Sequence, residues 1–166
     1  MSEPFTEIYE TYKKPIYTYL YRSTYNTHIA EELTHDTFIK AYKNLKHFRG
    51  ESSLKTWLFT IARNTYLSYQ GKSSTKYETI NQVHENWKST DEGVESMIER
   101  DSILTILLSL TEKERTFILL RDQHGMSYLE IAEILDEKVG SVRIGIHRAR
   151  KKFKERYNNE FGGVHK

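Results

Sequence analysis

The chain has 166 residues, a formal net charge of +2 and a hydrophobic content of 37%, which suits one ordinary domain or two small ones. It contains no cysteine, so disulfides, zinc ribbons and thiol catalysis are excluded. The charged N-terminus does not resemble a signal peptide, and no stretch reaches the roughly 20 apolar residues that span a bilayer. We therefore expect a cytoplasmic chain without direct membrane insertion. Apolar residues recur at helical spacing almost throughout, which predicts an all-α fold.

Three helices are predicted in the N-terminal part of the chain. Their apolar stripes cover, to within a few residues, positions 4–23, 28–45 and 54–69. Pro15 falls inside the first stripe, and its ring and missing amide predict a kink or a break there. Ser52 or Ser53 is placed to accept a hydrogen bond from a free backbone amide at the start of the third helix.

Residues 71–95 differ in composition from both flanks. They are polar, slightly acidic and weakly periodic, with runs such as GKSSTK and STDEG. Such composition is typical of a linker. We predict two small helical domains, residues 1–70 and 96–160, that are joined by a flexible linker and are tethered but not oriented.

The C-terminal part carries two signatures of helix starts. The segments 111–114 and 127–130 both fit the capping box, in which a hydroxyl and a glutamate each satisfy a backbone amide. Gly125 ends the helix between them, and a brief turn at 136–138 precedes the last helix. The buried face of that last helix is predicted to hold Val142, Ile146, Ala149 and Phe153.

A short capped helix, a tight turn and a longer amphipathic helix are typical of a helix-turn-helix. Between residues 139 and 157, seven basic residues stand against one acidic residue, which is an electrostatic footprint for phosphate. The second helix of such a pair enters the major groove with its N-terminal half. The predicted base-reading end comprises Ser141, Arg143, Ile144, Gly145 and His147. The predicted phosphate ligands further along are Arg148, Arg150, Lys151 and Lys152.

Aromatic and basic residues alternate around the third predicted helix, from Lys46 to Lys72. Single-stranded nucleic acid is bound by such a mixture, because bases stack on aromatic rings and phosphates attract cations. Phe48 is the best stacking candidate because it lies in a loop, whereas Trp57 is first a candidate for core packing. Asn64 is placed to hydrogen-bond the edge of a base.

Three segments together carry a family pattern. They are residues 30–42 (AEELTHDTFIKAY), residues 47–64 (HFRGESSLKTWLFTIARN) and residues 110–152, which include SYLEIAEIL at 127–135 and HRARKK at 147–152. In this order and spacing they resemble regions 2.2, 2.3 to 2.4, and 4 of the extracytoplasmic-function (ECF) sigma factors. The resemblance covers nearly the whole chain outside the predicted linker.

The resemblance implies an alternative sigma factor that binds core RNA polymerase, through its β′ and β subunits, and promoter DNA. Such a protein directs promoter recognition, melting and initiation at a specific regulon, often in a stress response. Polymerase supplies the chemistry, so the resemblance implies no enzymatic activity, no cofactor and no metal. It also implies a partner anti-sigma factor, which is often membrane-bound.

The resemblance also implies roles for individual residues. The residues at positions of the pocket for a base flipped out of the −10 element are Phe48, Arg49, Ser52, Ser53, Lys55, Arg63 and Asn64. Those at positions of the β′ contact are Leu33, His35, Asp36 and Phe38. Those at positions that bind the −35 element are Ser141, Arg143, Ile144, His147, Arg148, Arg150 and Lys151.

The chain departs from the family pattern at two places. His35 stands where the family commonly has glutamine, and imidazole keeps a hydrogen-bond donor and acceptor there while adding pH sensitivity. Ile144 and Gly145 stand where the family often has a serine–arginine pair, so one basic contact is missing. A helical glycine also costs about 1 kcal/mol relative to alanine.

Two other interpretations remain open on the residues alone. A stand-alone helix-turn-helix regulator would bind duplex DNA without polymerase, and a helical adaptor would bind only protein. The cluster of His28, Glu32 and His35 has helical spacing that suits a metal, but three polar side chains facing solvent on one side of a helix are the simpler interpretation. The sequence contains no Gly-rich phosphate loop, no HExxH motif and no catalytic triad pattern.

Overall fold

The computed structural model describes residues 3–73 and 94–162, and every regular element within them is helical. The all-α prediction is therefore confirmed, while residues 74–93 of the predicted linker lie outside the described part. The N-terminal domain contains α1 (Glu3–Thr24), α2 (Thr27–Asn44), a 3-10 turn (Leu45–His47) and α3 (Leu54–Ser73). The C-terminal domain contains α4 (Val94–Ser109), α5 (Glu112–Ile118), a π-helical turn (Leu119–Gln123), α6 (Tyr128–Leu135) and α7 (Val139–Phe161).

The first helix continues through Pro15, so the chain does not break there as the sequence allowed. The proline removes the hydrogen bond that an amide would donate to the carbonyl one turn earlier. Apolar burial on both sides of the proline offsets this loss, since Phe5 precedes it, Ile16, Tyr19 and Leu20 follow it, and all four are at most 2% exposed.

Side-chain caps define the starts of the next two helices. The Asn26 Oδ1 accepts a hydrogen bond from the amide of Ile29 at 3.1 Å, and the Ser53 Oγ accepts one from the amide of Thr56 at 3.1 Å. Of the two candidate serines, Ser53 is therefore the cap of α3. Gly50 has a φ of 74°, a left-handed conformation that glycine adopts without steric cost and that turns the chain toward α3.

Only one of the two predicted capping boxes forms completely. The Ser127 hydroxyl accepts from the amide of Glu130, whose carboxylate accepts from the amide of Ser127. The Thr111 hydroxyl also accepts from the amide of Glu114, but the Glu114 carboxylate accepts from Lys152 of α7 at 3.0 Å. The reciprocal half of the first box is therefore wrong, because the lysine of a packed helix competes for the carboxylate.

The helix-turn-helix forms as predicted from α6 and α7. The turn between them passes through Asp136, which has a φ of 53°. On α7 the side chains of Val142, Ile146 and Ala149 are at most 1% exposed, and Phe153 is partly buried. This apolar face packs α7 against α5 and α6.

The two domains pack directly against each other. Helix α3 contacts α6, and α1 contacts α4 and α5. The buried side chains of both domains form one continuous hydrophobic cluster. The expectation of domains that are tethered but not oriented is therefore wrong for this conformation, because apolar side chains of each domain are buried against the other.

Within the described residues, none of the helices is both long and apolar enough to cross a bilayer. The same residues contain no group of three histidine, cysteine or acidic side chains arranged to hold a metal ion.

Candidate nucleic-acid interface

The outward side of α7 carries all seven side chains that the family pattern placed at the −35 element. Every one of them is exposed, and the isoleucine among them is 54% exposed although it is apolar. They lie away from the buried face that packs α7 onto its neighbours. The seven residues are Ser141, Arg143, Ile144, His147, Arg148, Arg150 and Lys151.

Gly145 allows α7 to approach α5 closely. A Cβ atom built at this position would lie 2.4 Å from Cε2 of Phe117, and Phe117 is 4% exposed. Non-bonded carbon atoms do not approach each other so closely, so any larger residue requires the Phe117 ring to move. The glycine that departs from the family pattern therefore meets a packing requirement inside this domain.

The domain itself engages three of the basic residues on α7. Arg150 donates two hydrogen bonds to the Asp122 carboxylate, at 3.1 and 2.5 Å. Lys152 donates to Glu114, and Arg156 donates to the carbonyl and hydroxyl of Ser109. The hydrogen bond to Asp122 is the main cause that raises the pKa of Arg150. The positive charge available to a phosphate backbone is thus smaller than the residue count suggests.

The candidate base-stacking site lies on the outer side of the N-terminal domain. The rings of Phe48 and Trp57 are 5.0 Å apart at an interplanar angle of 38°, and both side chains are partly buried. Asn64 is exposed and lies seven residues after Trp57, on the same face of α3. Arg49 is also exposed, so this surface offers an aromatic pair, an amide and a cation.

Two other residues predicted for the same pocket face the C-terminal domain instead. Arg63 donates to Glu112 from Nε at 3.1 Å and from Nη2 at 3.0 Å, and the two side chains are only 13% and 17% exposed. Lys55 donates from Nζ to the carbonyl of His124 at 2.9 Å. In this conformation both cations are engaged by the C-terminal domain. Of the three predicted residues on α3, Asn64 faces outward, whereas Lys55 and Arg63 face the other domain.

His124 lies at the contact between the two domains. The centroid of its ring is 4.9 Å from that of Phe59 and 6.5 Å from that of Tyr19. Burial first, and then the charges of Lys55 and Arg22, lower the pKa of His124 to about 4. Its Nε2 has no hydrogen-bond partner among the described residues, so a proton there would be buried without compensation.

The residues predicted for the β′ contact also divide into two groups. His35 and Asp36 are exposed on α2, whereas Leu33 and Phe38 are 5% and 4% exposed. Phe38 packs edge-on against Tyr9 at 5.0 Å. Leu33 and Phe38 therefore pack in the core of the N-terminal domain and expose little surface.

The residues that sequence reasoning missed are the partners of the predicted ones. Glu112 and Asp122 hold Arg63 and Arg150, and Tyr128 contacts Arg143. Glu112 and Tyr128 each lie beside a predicted helix cap, and the capping pattern does not indicate what their own side chains contact. A carboxylate whose partner is 49 positions away in the chain leaves no signal in helical periodicity.

The fold and the exposed basic side of α7 define a class of protein: an all-helical, two-domain DNA-binding protein with a C-terminal helix-turn-helix. Comparison with known families agrees, because the family model for Sigma-70 region 2 matches residues 8–75 and that for Sigma-70 region 4 matches residues 100–153.

Individual relatives extend this agreement over most of the chain. The RNA polymerase sigma factor YlaC of Bacillus subtilis is 33% identical over 156 residues, which cover 90% of this chain and 89% of YlaC. The ECF RNA polymerase sigma-E factor of Haemophilus influenzae is 37% identical, with 72% of this chain and 69% of that protein covered. The chain therefore belongs to the ECF sigma factors, the alternative sigma factors that direct RNA polymerase to selected promoters.

A solved structure has the same fold. The sigma factor RpoE of Bartonella quintana, crystallised in complex with the anti-sigma factor NepR, superimposes with a TM-score of 0.74 over 93% of this chain and 97% of that chain, at 23% identity.

Proposed function

We propose that α7 binds the −35 element of the promoter as a duplex while the N-terminal domain captures an unpaired base of the −10 element. The observation that carries this proposal is the exposed, basic outward side of α7, held in place by a buried apolar face. Base contacts there read the sequence, and phosphate contacts position the protein.

In the N-terminal domain, Phe48 stacks on the extruded base and Asn64 hydrogen-bonds its edge. Extrusion costs a few kcal/mol, which stacking and edge contacts return. The exposure of Asn64 and Arg49 beside the Phe48–Trp57 pair supports this role. Ser52 and Ser53 border the same loop, with Ser53 also acting as the cap of α3.

The contact with the β′ subunit involves the exposed side of α2. His35 and Asp36 remain from the sequence prediction, and Ile39 and Tyr42 are apolar side chains that are 38% and 50% exposed there. We assign to Ile39 and Tyr42 the apolar part of the contact, which Leu33 and Phe38 are too buried to make. A patch with an apolar centre and a polar rim is typical of a protein interface.

Binding of the −10 element requires the two domains to separate. Arg63 and Lys55 are positioned to contact DNA in the family pattern, yet both are engaged with the C-terminal domain. The free chain is therefore expected to bind promoter DNA poorly, and core polymerase to hold the domains apart. An anti-sigma factor, as in the RpoE–NepR complex, is the partner expected to stabilise the inactive form.

The protein acts in the cytoplasm without catalytic chemistry of its own, since polymerase forms the phosphodiester bonds. No cofactor or metal enters this function. The membrane-bound partner that the family pattern implies would reach the chain from the membrane surface.

Reconstitution with core polymerase tests the proposed function. Holoenzyme is expected to initiate at a limited set of promoters in a genome-wide run-off assay, and gel shifts are expected to need core polymerase. Tight binding of the free chain to duplex DNA would favour a stand-alone regulator. If charge reversal at Arg143, Arg148 and Arg150 changes neither initiation nor the gel shifts, a protein-binding adaptor is favoured.

The flipped-base pocket has its own test. Phe48→Ala and Asn64→Ala are each expected to reduce open-complex formation about fivefold or more, since each removes a contact that contributes about 1 kcal/mol or more, while affinity for core polymerase stays unchanged. Permanganate reactivity of unpaired thymines measures opening, and competition with native protein measures core binding. If both variants form as much open complex as the native protein, the pocket has no part in the mechanism.

A further inference from the structure

We propose that Tyr128 and Asp122, which lie outside the recognition helix α7, determine its −35 specificity by holding Arg143 and Arg150 in place. Both act as positioning residues and neither is assigned a contact with DNA. The inference rests on the proposed role of α7 at the −35 element and adds the residues that orient its arginines.

The ring of Tyr128 makes cation–π contacts with two arginines. Tyr128 directly follows the capping serine, Ser127, at the start of α6. The guanidinium of Arg121 lies 4.6 Å from the centroid of its ring, and that of Arg143 lies 5.6 Å away. Arg121 is itself anchored, because its Nη1 donates to the carbonyl of Met126 at 2.7 Å. Arg143 is attracted to the ring by a cation–π interaction, which restricts an otherwise mobile side chain.

Asp122 orients the second arginine. Its carboxylate accepts from both Nε and Nη2 of Arg150, at 3.1 and 2.5 Å, and such a two-point pair fixes the plane of the guanidinium. Asp122 and Arg121 are neighbours in the π-helical turn Leu119–Gln123, an irregular turn that often occurs at functional sites. One turn thus orients Arg143 through Tyr128 and Arg150 directly.

The groove between Tyr128 and α7 is lined by side chains that are complementary to the edge of a base pair. A cavity of about 360 Å³ is lined by Tyr128, Arg143, Ile144 and His147, among other residues of α7. Arg143 presents donors that match guanine, and Ile144 presents an apolar surface that matches the methyl group of thymine. Reading such an edge requires a fixed arginine, because a mobile one contacts any phosphate within reach.

This arrangement gives Arg150 and Arg148 different roles. Arg148 is exposed and pairs with no acidic group among the described residues, so it is free to bind phosphate. Arg150 is held in a fixed orientation by Asp122 and contributes to sequence selectivity instead of binding phosphate. Each phosphate contact steepens the dependence of log affinity on log salt concentration by about 0.9, so the two arginines are distinguishable by that slope.

The experiment uses holoenzyme reconstituted from the full chain and core polymerase. Native holoenzyme first selects its preferred −35 sequence from a promoter library randomised there, and binding to the selected and a scrambled sequence is then measured over a range of salt. Asp122→Asn is expected to lower selectivity while steepening the salt slope by about 0.9, because the released Arg150 reaches phosphate. A damaged fold would instead lower affinity for both sequences and flatten the slope.

The other variants separate orientation from charge. Tyr128→Leu is expected to lower selectivity about two- to fivefold, and Tyr128→Phe, which keeps the ring, to restore it. Arg148→Gln is the matched control for Arg150→Gln: the first is expected to flatten the slope by about 0.9 at constant selectivity, and the second to lower selectivity at constant slope.

Two results would overturn the inference in distinguishable ways. A native holoenzyme without any −35 preference would overturn both the proposed role of α7 and this inference. A clear native preference that Asp122→Asn and Tyr128→Leu leave unchanged would overturn the inference alone.

Discussion

At the scale of single residues, neighbouring side chains of the same type have different roles. Ser52 and Ser53 are equivalent by sequence pattern, yet only Ser53 accepts the free amide at the start of α3. The Ser53 hydroxyl also donates to Oγ1 of Thr56 at 2.9 Å, whereas the Ser52 hydroxyl reaches only the carbonyl of Ser53 at 3.4 Å. The orientation of each hydroxyl decides which serine stabilises the helix.

We expect Ser53→Ala to lower the free energy of unfolding by about 1 kcal/mol, because it leaves an amide of the first turn unsatisfied. Ser52→Ala is the matched control and is expected to change stability by less than about 0.5 kcal/mol. Urea denaturation followed by circular dichroism measures both. Equal losses in the two variants would show that Ser53 is not the cap.

At the scale of elements, the helices pack so closely that a single methyl group matters. The approach of α7 to α5 depends on Gly145, which faces the buried ring of Phe117. Gly140 lies on the same helix, but a Cβ atom there would meet nothing within 4 Å. The two glycines of α7 therefore have opposite consequences when a side chain is added.

We expect Gly145→Ala to destabilise the protein by about 1–3 kcal/mol, since overpacking against Phe117 outweighs the better helix propensity of alanine. Gly140→Ala is expected to leave stability unchanged or to raise it by up to about 1 kcal/mol. Denaturant unfolding of both variants tests the difference. Recovery of stability in a Gly145→Ala, Phe117→Leu double variant would locate the clash, and a stabilised single variant would refute it.

At the scale of the whole molecule, the closed arrangement hides part of the proposed DNA-binding surface. The contact is polar as well as apolar, with the Arg63–Glu112 pair and the Tyr19–Thr116 hydroxyl pair at 3.3 Å. These polar groups form hydrogen bonds with water once the domains separate, so opening leaves none of them unsatisfied. In the proposed function, promoter binding and domain closure therefore compete for Arg63 and Lys55 of α3.

We expect Glu112→Gln to shift the chain toward the open form, because a bidentate charged pair contributes about 2 kcal/mol, or roughly thirtyfold in the closed-to-open ratio. The absence of native cysteine permits specific labelling at Lys43→Cys and Lys154→Cys, and energy transfer between the labels reports separation. Affinity of the free chain for a single-stranded −10 oligonucleotide is expected to rise with the open fraction.

Two further variants control this measurement. Glu137→Gln removes the ion pair with Lys113 inside the C-terminal domain and is expected to leave the domains closed. Arg63→Gln is expected to open the chain without raising affinity, because it also removes the DNA contact that we propose for Arg63. A closed Glu112→Gln variant would show that the ion pair does not hold the domains together.

The domain contact is also expected to weaken with acid. In the closed form the pKa of His124 is about 4, whereas the pKa of a solvated histidine is about 6.5. Between these values the open form binds the proton more readily, so closure is fully favoured above about pH 6.5 and weakens as the pH falls toward 4. The groups that face His124 are Lys55, Arg22 and Tyr19, and no carboxylate among them offsets the proton.

The labelled chain tests this expectation between pH 7.5 and 5. The open fraction of the native protein is expected to increase as the pH falls, while His124→Gln, which cannot titrate, is expected to lose most of that dependence. The other histidines are the same in both proteins, so the comparison isolates the contribution of His124. Identical pH profiles would exclude His124 as the origin.

The sequence by itself determined the local structure and the class of protein. Helices, caps such as Ser127 and the helix-turn-helix could be predicted because their signals lie within a few residues of one another. The exposure of the seven α7 side chains assigned to the −35 element was also predictable, because a basic stripe opposite an apolar one has one stable orientation on a packed helix.

Only the tertiary structure decided which of these residues are available. Arg63 and Lys55 meet partners 49 and 69 positions away, and Arg150 is held by an aspartate 28 positions before it. Periodicity reports which face of a helix is apolar, but it does not report what lies against the polar face. The division of α3 between an outward stacking surface and an inward ionic contact therefore follows from how the domains pack, because that packing alone brings distant charges within hydrogen-bonding distance.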